Sequence, residues 1–130
     1  MASEPLVTSE IEGGLKLLQV LDEAQFGIKA AFWFYHSDQE RWRFVIATDD
    51  GDRNVEAKYL EAANAIAKAR ERGASDLLPL DKVKITGAKD PLVKGLGMMI
   101  RMSGTGSVRF SRNMINGIYV EDALIHRLAA

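Results

Sequence analysis

Four side chains between positions 50 and 58 could form a metal-dependent catalytic site: Asp50, Asp52, Glu56 and Lys58. In metal-dependent nucleases, paired carboxylates hold Mg²⁺ and a lysine orients or activates the attacking water. Such enzymes carry the glutamate and the lysine on a strand, whereas here both fall in the first turn of a predicted helix, where acidic residues complement the helix dipole. We therefore expect a helix start here, with a metal-dependent nuclease or phosphodiesterase as the enzymatic alternative.

Lysine and arginine are concentrated in the last part of the chain. Residues 1–81 carry nine Lys or Arg and fifteen Asp or Glu, and residues 82–130 carry eight and three, so the net charge of −1 divides into −6 and +5. Such a basic segment could bind nucleic-acid phosphates without sequence preference, or it could be solvated surface that the acidic part balances. The candidate nucleic-acid-binding residues are Lys82, Lys84, Lys94, Arg101, Arg109 and Arg112.

The segment 103–107, Ser-Gly-Thr-Gly-Ser, could offer N–H groups and hydroxyls to a phosphate. It lacks the spacing of a P-loop, and it follows a predicted helix and precedes a predicted strand, which favours a simple turn. His36 and His126 are the only histidines, and neither has a neighbouring nucleophile motif or a histidine partner at helical spacing. We interpret both as ordinary strand or surface residues.

The elements that position these residues begin with a β-hairpin over 28–48. Two aromatic runs flank a polar break at 37–41, and the second run alternates apolar and polar residues as a half-buried strand does. Phe32, Trp33, Phe34 and Tyr35 fall on both faces of the first strand, so other layers must cover both. Exposed aromatics here, including Trp42, could stack on bases, but packing in the core is favoured.

Apolar spacing predicts three helices. The first spans 9–26, with a Ser9–Glu12 capping box, two weakening interior glycines and Gly27 at its C-terminal end. The second runs from Val55 to Arg72, with Asp52 or Asn54 as its N-cap, and it ends before Gly73. The third begins at Asp90-Pro91 and directs Leu92, Val93, Leu96, Met99 and Ile100 inward. The buried face of the second helix is predicted as Val55, Tyr59, Ala63, Ile66 and Ala69.

The remaining strands are predicted at 82–86, in an edge position, and on both sides of an Asn116-Gly117 type I′ turn. The stretch 122–128 is compatible with helix or strand, and we assign it to strand. The order α-β-β-α-β-α-β-β predicts one α+β domain over 1–130, with a mixed or mostly antiparallel sheet.

The chain resembles a group of small, uncharacterised bacterial proteins in two stretches, WFYHSDQERWRFVIAT and INGIYVEDALIHRL. They cover 30 of the 130 residues, about a quarter of the chain. The resemblance implies a bacterial source, and it assigns no activity, cofactor or functional residue.

Composition narrows the class of protein. An apolar fraction of 47% and a charged fraction of 27% are those of a globular domain, and the absence of cysteine excludes disulfides and thiolate chemistry. No signal peptide or membrane-spanning run is evident, so we expect a cytoplasmic protein without a membrane partner or a cofactor.

The function favoured by the sequence is a non-catalytic interaction module that forms homo-oligomers. The hairpin and three methionines, Met98, Met99 and Met102, need more apolar cover than three modest helices provide. The alternatives are a nucleic-acid-associated accessory protein that uses the basic 82–112 segment and the metal-dependent enzyme described above.

Overall fold

The structure is a computed structural model that describes residues 5–102 and 104–129. Its helices and strands, in chain order, are α1 (Thr8–Glu23), β1 (Ile28–His36), β2 (Arg41–Thr48), α2 (Val55–Glu71), β3 (Val83–Gly87), α3 (Pro91–Met99), β4 (Val108–Ile115) and β5 (Ile118–Leu128). The predicted α+β class and element order are confirmed, as is the strand at 122–128. No helix in the described ranges combines the length and apolarity needed to cross a membrane.

The five strands form one mixed sheet in the order β3-β2-β1-β5-β4. The β1–β2 pair is the predicted hairpin, and β1 also pairs antiparallel with β5, which makes β1 the central strand. The β2–β3 pair is parallel, because the chain passes through α2 after β2 and returns to the same end of the sheet before β3 begins. This leaves β3 at one edge, as predicted, and β4 at the other.

Aromatic side chains of β1 alternate between the two faces of the sheet. Trp33 and Tyr35 pack in the core beneath α1 and α2, whereas Phe32 and Phe34 pack in the core beneath α3. All four are buried, and burial of a large apolar side chain contributes about 1.5–3 kcal/mol. The prediction that both faces of the hairpin are covered is therefore confirmed. The helices of the one chain supply this cover, so the expectation that the hairpin needs more cover than three helices provide is wrong.

The start of α1 differs from the predicted one. The helix begins at Thr8, and the carboxylate that reaches back belongs to Glu10, whose Oε1 lies 3.5 Å from the N–H of Val7. The predicted Ser9–Glu12 capping box is wrong, since both residues lie inside the helix.

The end of α1 also differs. Gln25 takes the left-handed conformation with φ 59°. The N–H groups of Gln25 and Phe26 donate to the carbonyls of Asp22 and Leu21, both at 3.0 Å. This is a Schellman motif, in which Gln25 fills the position predicted for Gly27.

Two interior glycines allow α1 to approach its neighbours closely. A Cβ atom on Gly14 would lie 3.3 Å from Trp33 Nε1, and one on Gly13 would lie 3.3 Å from the carbonyl of Asp76. Leu78 donates its N–H to the Gly13 carbonyl at 3.2 Å. Tertiary packing thus compensates for the low helix propensity of these glycines.

The second helix, α2, is capped by Asn54, whose side chain accepts the N–H of Ala57 at 3.3 Å. It ends before Gly73, which has φ +100°, as predicted. Of the predicted buried face, Ile66 and Ala69 are buried and Val55 and Tyr59 are partly buried against the same core, but Ala63 is exposed and Ala62 is buried in its place. Lys58, one turn earlier on the same face as Ala62, is also buried.

The third helix, α3, begins as predicted: Asp90 accepts the N–H of Leu92 at 2.9 Å. Val93 and Leu96 are buried, but Met99 is 62% exposed, so its predicted inward orientation is wrong. Met99 is the last residue of the helix, and the next residue is already extended. Met99 therefore lies at the exposed C-terminal end of α3 and does not pack against the sheet.

Residues Asn116 and Gly117 form the turn between β4 and β5, with φ values of 52° and 80°. Ile115 pairs with Ile118 on either side of this two-residue loop. Two consecutive positive φ angles between paired strands agree with the predicted type I′ turn.

Candidate functional sites

Exposed apolar side chains gather where α3 meets the β4–β5 hairpin. Met98 is 85% exposed, Met99 62% and Met114 58%. Tyr119, which is 53% exposed, lies opposite Met114 in the β4–β5 register. We call Met98, Met99, Met114 and Tyr119 the methionine patch.

A shallow open pocket lies within this surface. Its volume is about 180 Å³, and Gly95, Ile115 and Asn116 line it together with the three methionines. The lining is mostly apolar, and methionine side chains are flexible enough to adapt to an apolar partner.

Contacts between α3 and the turn after β4 hold the patch in place. Asn116 donates its side-chain N–H to the carbonyl of Pro91 at 3.1 Å. A Cβ atom on Gly95 would overlap the Cγ2 of Ile115, so only glycine permits this approach. The patch is therefore presented by two packed elements and not by a free loop.

Next to the patch, β4 is an open edge strand. Its only neighbour in the described sheet is β5, and most of its side chains are exposed. Arg109 is paired with Asp122 through contacts of 2.6 and 2.7 Å. An edge strand of this kind offers unpaired backbone groups to an additional strand.

Two of the four candidates for a metal-dependent site, Asp52 and Lys58, are used in separate structural contacts. Both carboxylate oxygens of Asp52 accept the N–H of Lys89, at 3.2 and 3.3 Å. Lys58 donates from Nζ to the Phe26 carbonyl at 3.1 Å, and Glu56 is exposed in the first turn of α2. The side chain of Asp50 lies outside the described part of the structure. Among the described residues, no group of three or more His, Asp or Glu side chains could hold a metal ion.

The six basic candidates are not brought together on one face. Lys82 forms an ion pair with Glu10 of α1 at 2.8 Å, whereas Lys94 belongs to α3, which packs on the opposite face of the sheet. Arg109 is neutralised by Asp122. The other three candidates are exposed: Lys84, Arg101 and Arg112.

The glycine-rich turn is tied to β5. The N–H of Gly106 donates to the His126 carbonyl at 2.8 Å, and the carbonyl of Gly106 lies 2.9 Å from His126 Nδ1. Thr105 accepts a hydrogen bond from Arg127 at 2.8 Å. Ser103 lies outside the described residues. His126 is a fully buried strand residue, and Nδ1 carries its hydrogen in order to donate to Gly106.

Trp33, Tyr35 and Trp42 are buried, so the prediction that they pack in the core is confirmed. They do not form a stacking surface for bases.

The sequence-based prediction named Met98 and Met99 but missed Met114 and Tyr119. A signal for both was present, because a two-residue turn at 116–117 fixes the register and places 114 opposite 119. Neither residue could be assigned to the patch without knowing that α3 packs beside this turn.

Comparisons of the chain with protein-family models, with curated proteins and with solved structures find no match. The candidate surfaces therefore have to be interpreted from their own geometry and chemistry.

Proposed function

We propose that this protein is a non-catalytic interaction module that self-associates through the methionine patch and the adjoining edge of β4. The observation that carries the proposal is the exposure of Met98, Met99 and Met114 around one apolar pocket. Single exposed apolar residues are ordinary, but a contiguous group of large ones is typical of an interface.

The partner that fits this surface best is a second copy of the chain. An edge strand can pair antiparallel with itself across a two-fold axis, which is the commonest symmetry of homo-oligomers. Arg109 on β4 is already neutralised by Asp122, which reduces the like-charge repulsion that this symmetry would create. Such pairing would extend the sheet and bury methionines from both copies in one interface.

Sedimentation velocity over a range of concentrations tests this proposal. We expect the native chain to sediment as a dimer and the double variant Met98→Lys/Met114→Lys to sediment as a folded monomer, because two charges in an apolar interface oppose association. Leu60→Lys is the matched control, since Leu60 is 64% exposed on α2, which covers the other face of the sheet.

A native chain that stays monomeric at tens of micromolar would contradict the proposal. It would also be contradicted if Leu60→Lys disrupted the dimer as strongly as the methionine variants. Circular dichroism of each variant checks that its fold is retained.

A further inference from the structure

Four basic side chains meet at one corner of the sheet, on the face that α3 covers. His36 at the end of β1 pairs with Arg41 of β2, and Arg43 pairs with Phe34 in the next row. The His36 ring lies 4.9 Å from the Phe34 ring, which places it on the Phe34 side of the sheet. Lys84 of β3 extends the group, because it pairs with Val45, whose side chain is on the same face.

The three cations of this group, which we call the basic corner, are Arg41, Arg43 and Lys84, and they form no ion pairs with carboxylates of the described residues. Other cations of the chain are paired in this way, for example Lys82 with Glu10. The basic corner is thus a local excess of positive charge in a protein whose net charge is −1.

The pKa of His36 is affected by the charges of the other three residues. Its pKa is lowered from 6.5, first by burial and then by the positive charges of Lys84 and Arg43; Asp38 acts in the opposite direction, and the positive charge of Arg41 has the smallest effect. A neutral imidazole at physiological pH is the result, since protonation would add a further positive charge to the group.

Hydrogen-bonding capacity is also left over at the basic corner. Arg43 donates from Nη2 to the Val83 carbonyl at 3.3 Å, which fixes the direction of its guanidinium. The Nε of Arg43 and the Nε2 of His36 are buried without a hydrogen-bond partner in the protein. Buried polar groups normally have partners, and an arginine Nε–H can only donate, so the unpaired Nε of Arg43 indicates that an acceptor is missing.

We propose that His36, Arg41, Arg43 and Lys84 bind a phosphate group. A phosphate has enough negative charge to offset three cations and enough oxygens to accept hydrogen bonds from several donors at once. Guanidinium groups match its geometry through paired N–H donors, and a lysine adds a point charge. In the proposed complex the Nε–H of Arg43 would donate to a phosphate oxygen. The phosphate would also stabilise the imidazolium form of His36.

The phosphate could belong to a small phosphorylated compound or to the backbone of a single-stranded nucleic acid. The chemistry at the basic corner is the same for both. The residues involved differ from those of the methionine patch, so this site and the proposed self-association stand or fall independently.

Titration with inorganic pyrophosphate, followed by NMR at constant ionic strength, tests the site. At about 0.15 M salt, exposed charges are screened beyond about 8 Å, so a local response indicates a site and not general attraction. We expect shifts confined to the basic corner and a rise in the pKa of His36 on saturation. Lys84→Gln should weaken pyrophosphate binding about tenfold.

Lys89→Gln is the matched control, because Lys89 is an exposed lysine a few residues further along the chain, and it should bind like the native protein. In unliganded Lys84→Gln the pKa of His36 should already be higher, since one repelling charge is gone. This change in pKa checks that Lys84 lies close enough to His36 to share a ligand with it.

A parallel titration with an oligothymidylate separates the two sources. If the basic corner binds a nucleic-acid backbone, Lys84→Gln should lower the slope of log affinity against log salt by about 0.7. Pyrophosphate binding without oligonucleotide binding assigns the site to small phosphorylated compounds. The proposal is overturned if neither ligand causes shifts at the basic corner, or if Lys84→Gln and Lys89→Gln respond identically.

Discussion

The buried amine of Lys58 shows how one residue can join two elements. Its Nζ donates to the Phe26 carbonyl at 3.1 Å and lies 4.1 Å from the centre of the Phe26 ring, which connects α2 to the turn after α1. Glu61 on the next turn of α2 supplies the neutralising charge, also at 3.1 Å. The sequence offered this lysine as a catalytic candidate, and its contacts are structural.

Replacing Lys58 with methionine should therefore destabilise the fold. We expect Lys58→Met to lower the free energy of unfolding by about 1–3 kcal/mol, because the Phe26 carbonyl would stay buried without a donor. Urea denaturation measures the change. Lys68→Met is the control, since Lys68 is exposed on the same helix, and equal losses in both variants would contradict this role of Lys58.

The lowered pKa of His36 predicts that the stability of the fold decreases at acidic pH. This pKa lies below 6.5 in the folded chain, so the unfolded chain binds the proton more readily. Stability should therefore fall as the pH is lowered from about 6.5 toward the folded pKa, and should be regained as the pH rises. Subtracting the stability of His36→Gln from that of the native chain at each pH isolates this effect, because the carboxylates contribute equally to both proteins. A difference that does not vary below pH 6.5 would contradict it.

At the scale of elements, the packing of α3 on the β4–β5 hairpin depends on the absence of a side chain at Gly95. Alanine normally favours a helix over glycine by about 1 kcal/mol. Here a Cβ atom would overlap Ile115, whose branched side chain is itself buried. We expect Gly95→Ala to lower stability despite its better helix propensity.

A double-mutant cycle with Ile115→Ala tests the reason for this loss. If the overlap is the cause, Gly95→Ala should cost much less stability in the Ile115→Ala background, and the coupling between neighbours should reach about 0.5–3 kcal/mol. Strictly additive effects in thermal or urea unfolding would show that the contact with Ile115 is not the cause.

At the scale of the whole molecule, self-association would link stability to protein concentration. A partner that binds only the folded chain stabilises it by mass action. We expect the unfolding temperature of the native chain to rise by a few degrees when its concentration is raised about a hundredfold. The Met98→Lys/Met114→Lys variant should show no such rise. Differential scanning calorimetry makes this comparison, and a constant unfolding temperature in the native chain would oppose the proposed interface.

Much of the architecture could be predicted from the sequence, because it depends on local signals. The Asp90-Pro91 pair starts α3, Gly73 ends α2, and Asn116-Gly117 forms the turn of the last hairpin, each through the conformations open to those residues. The aromatic run in β1 required cover on both faces, and two separate cores provide it. The α+β class and the element order follow from these local preferences.

What only the tertiary structure decided is which residues meet. Lys82 and Lys84 are two positions apart in the sequence, yet Lys82 lies just before β3 and pairs with Glu10 of α1, whereas Lys84 lies within β3 and belongs to the basic corner. The sequence grouped basic residues by their order along the chain, whereas strand pairing groups Lys84 with Arg41 and His36 of other strands. The methionine patch likewise exists because α3 packs beside the 116–117 turn. Side-chain periodicity and turn chemistry are local properties, but a surface is formed by residues distant in sequence, and their proximity depends on the packing of the whole chain.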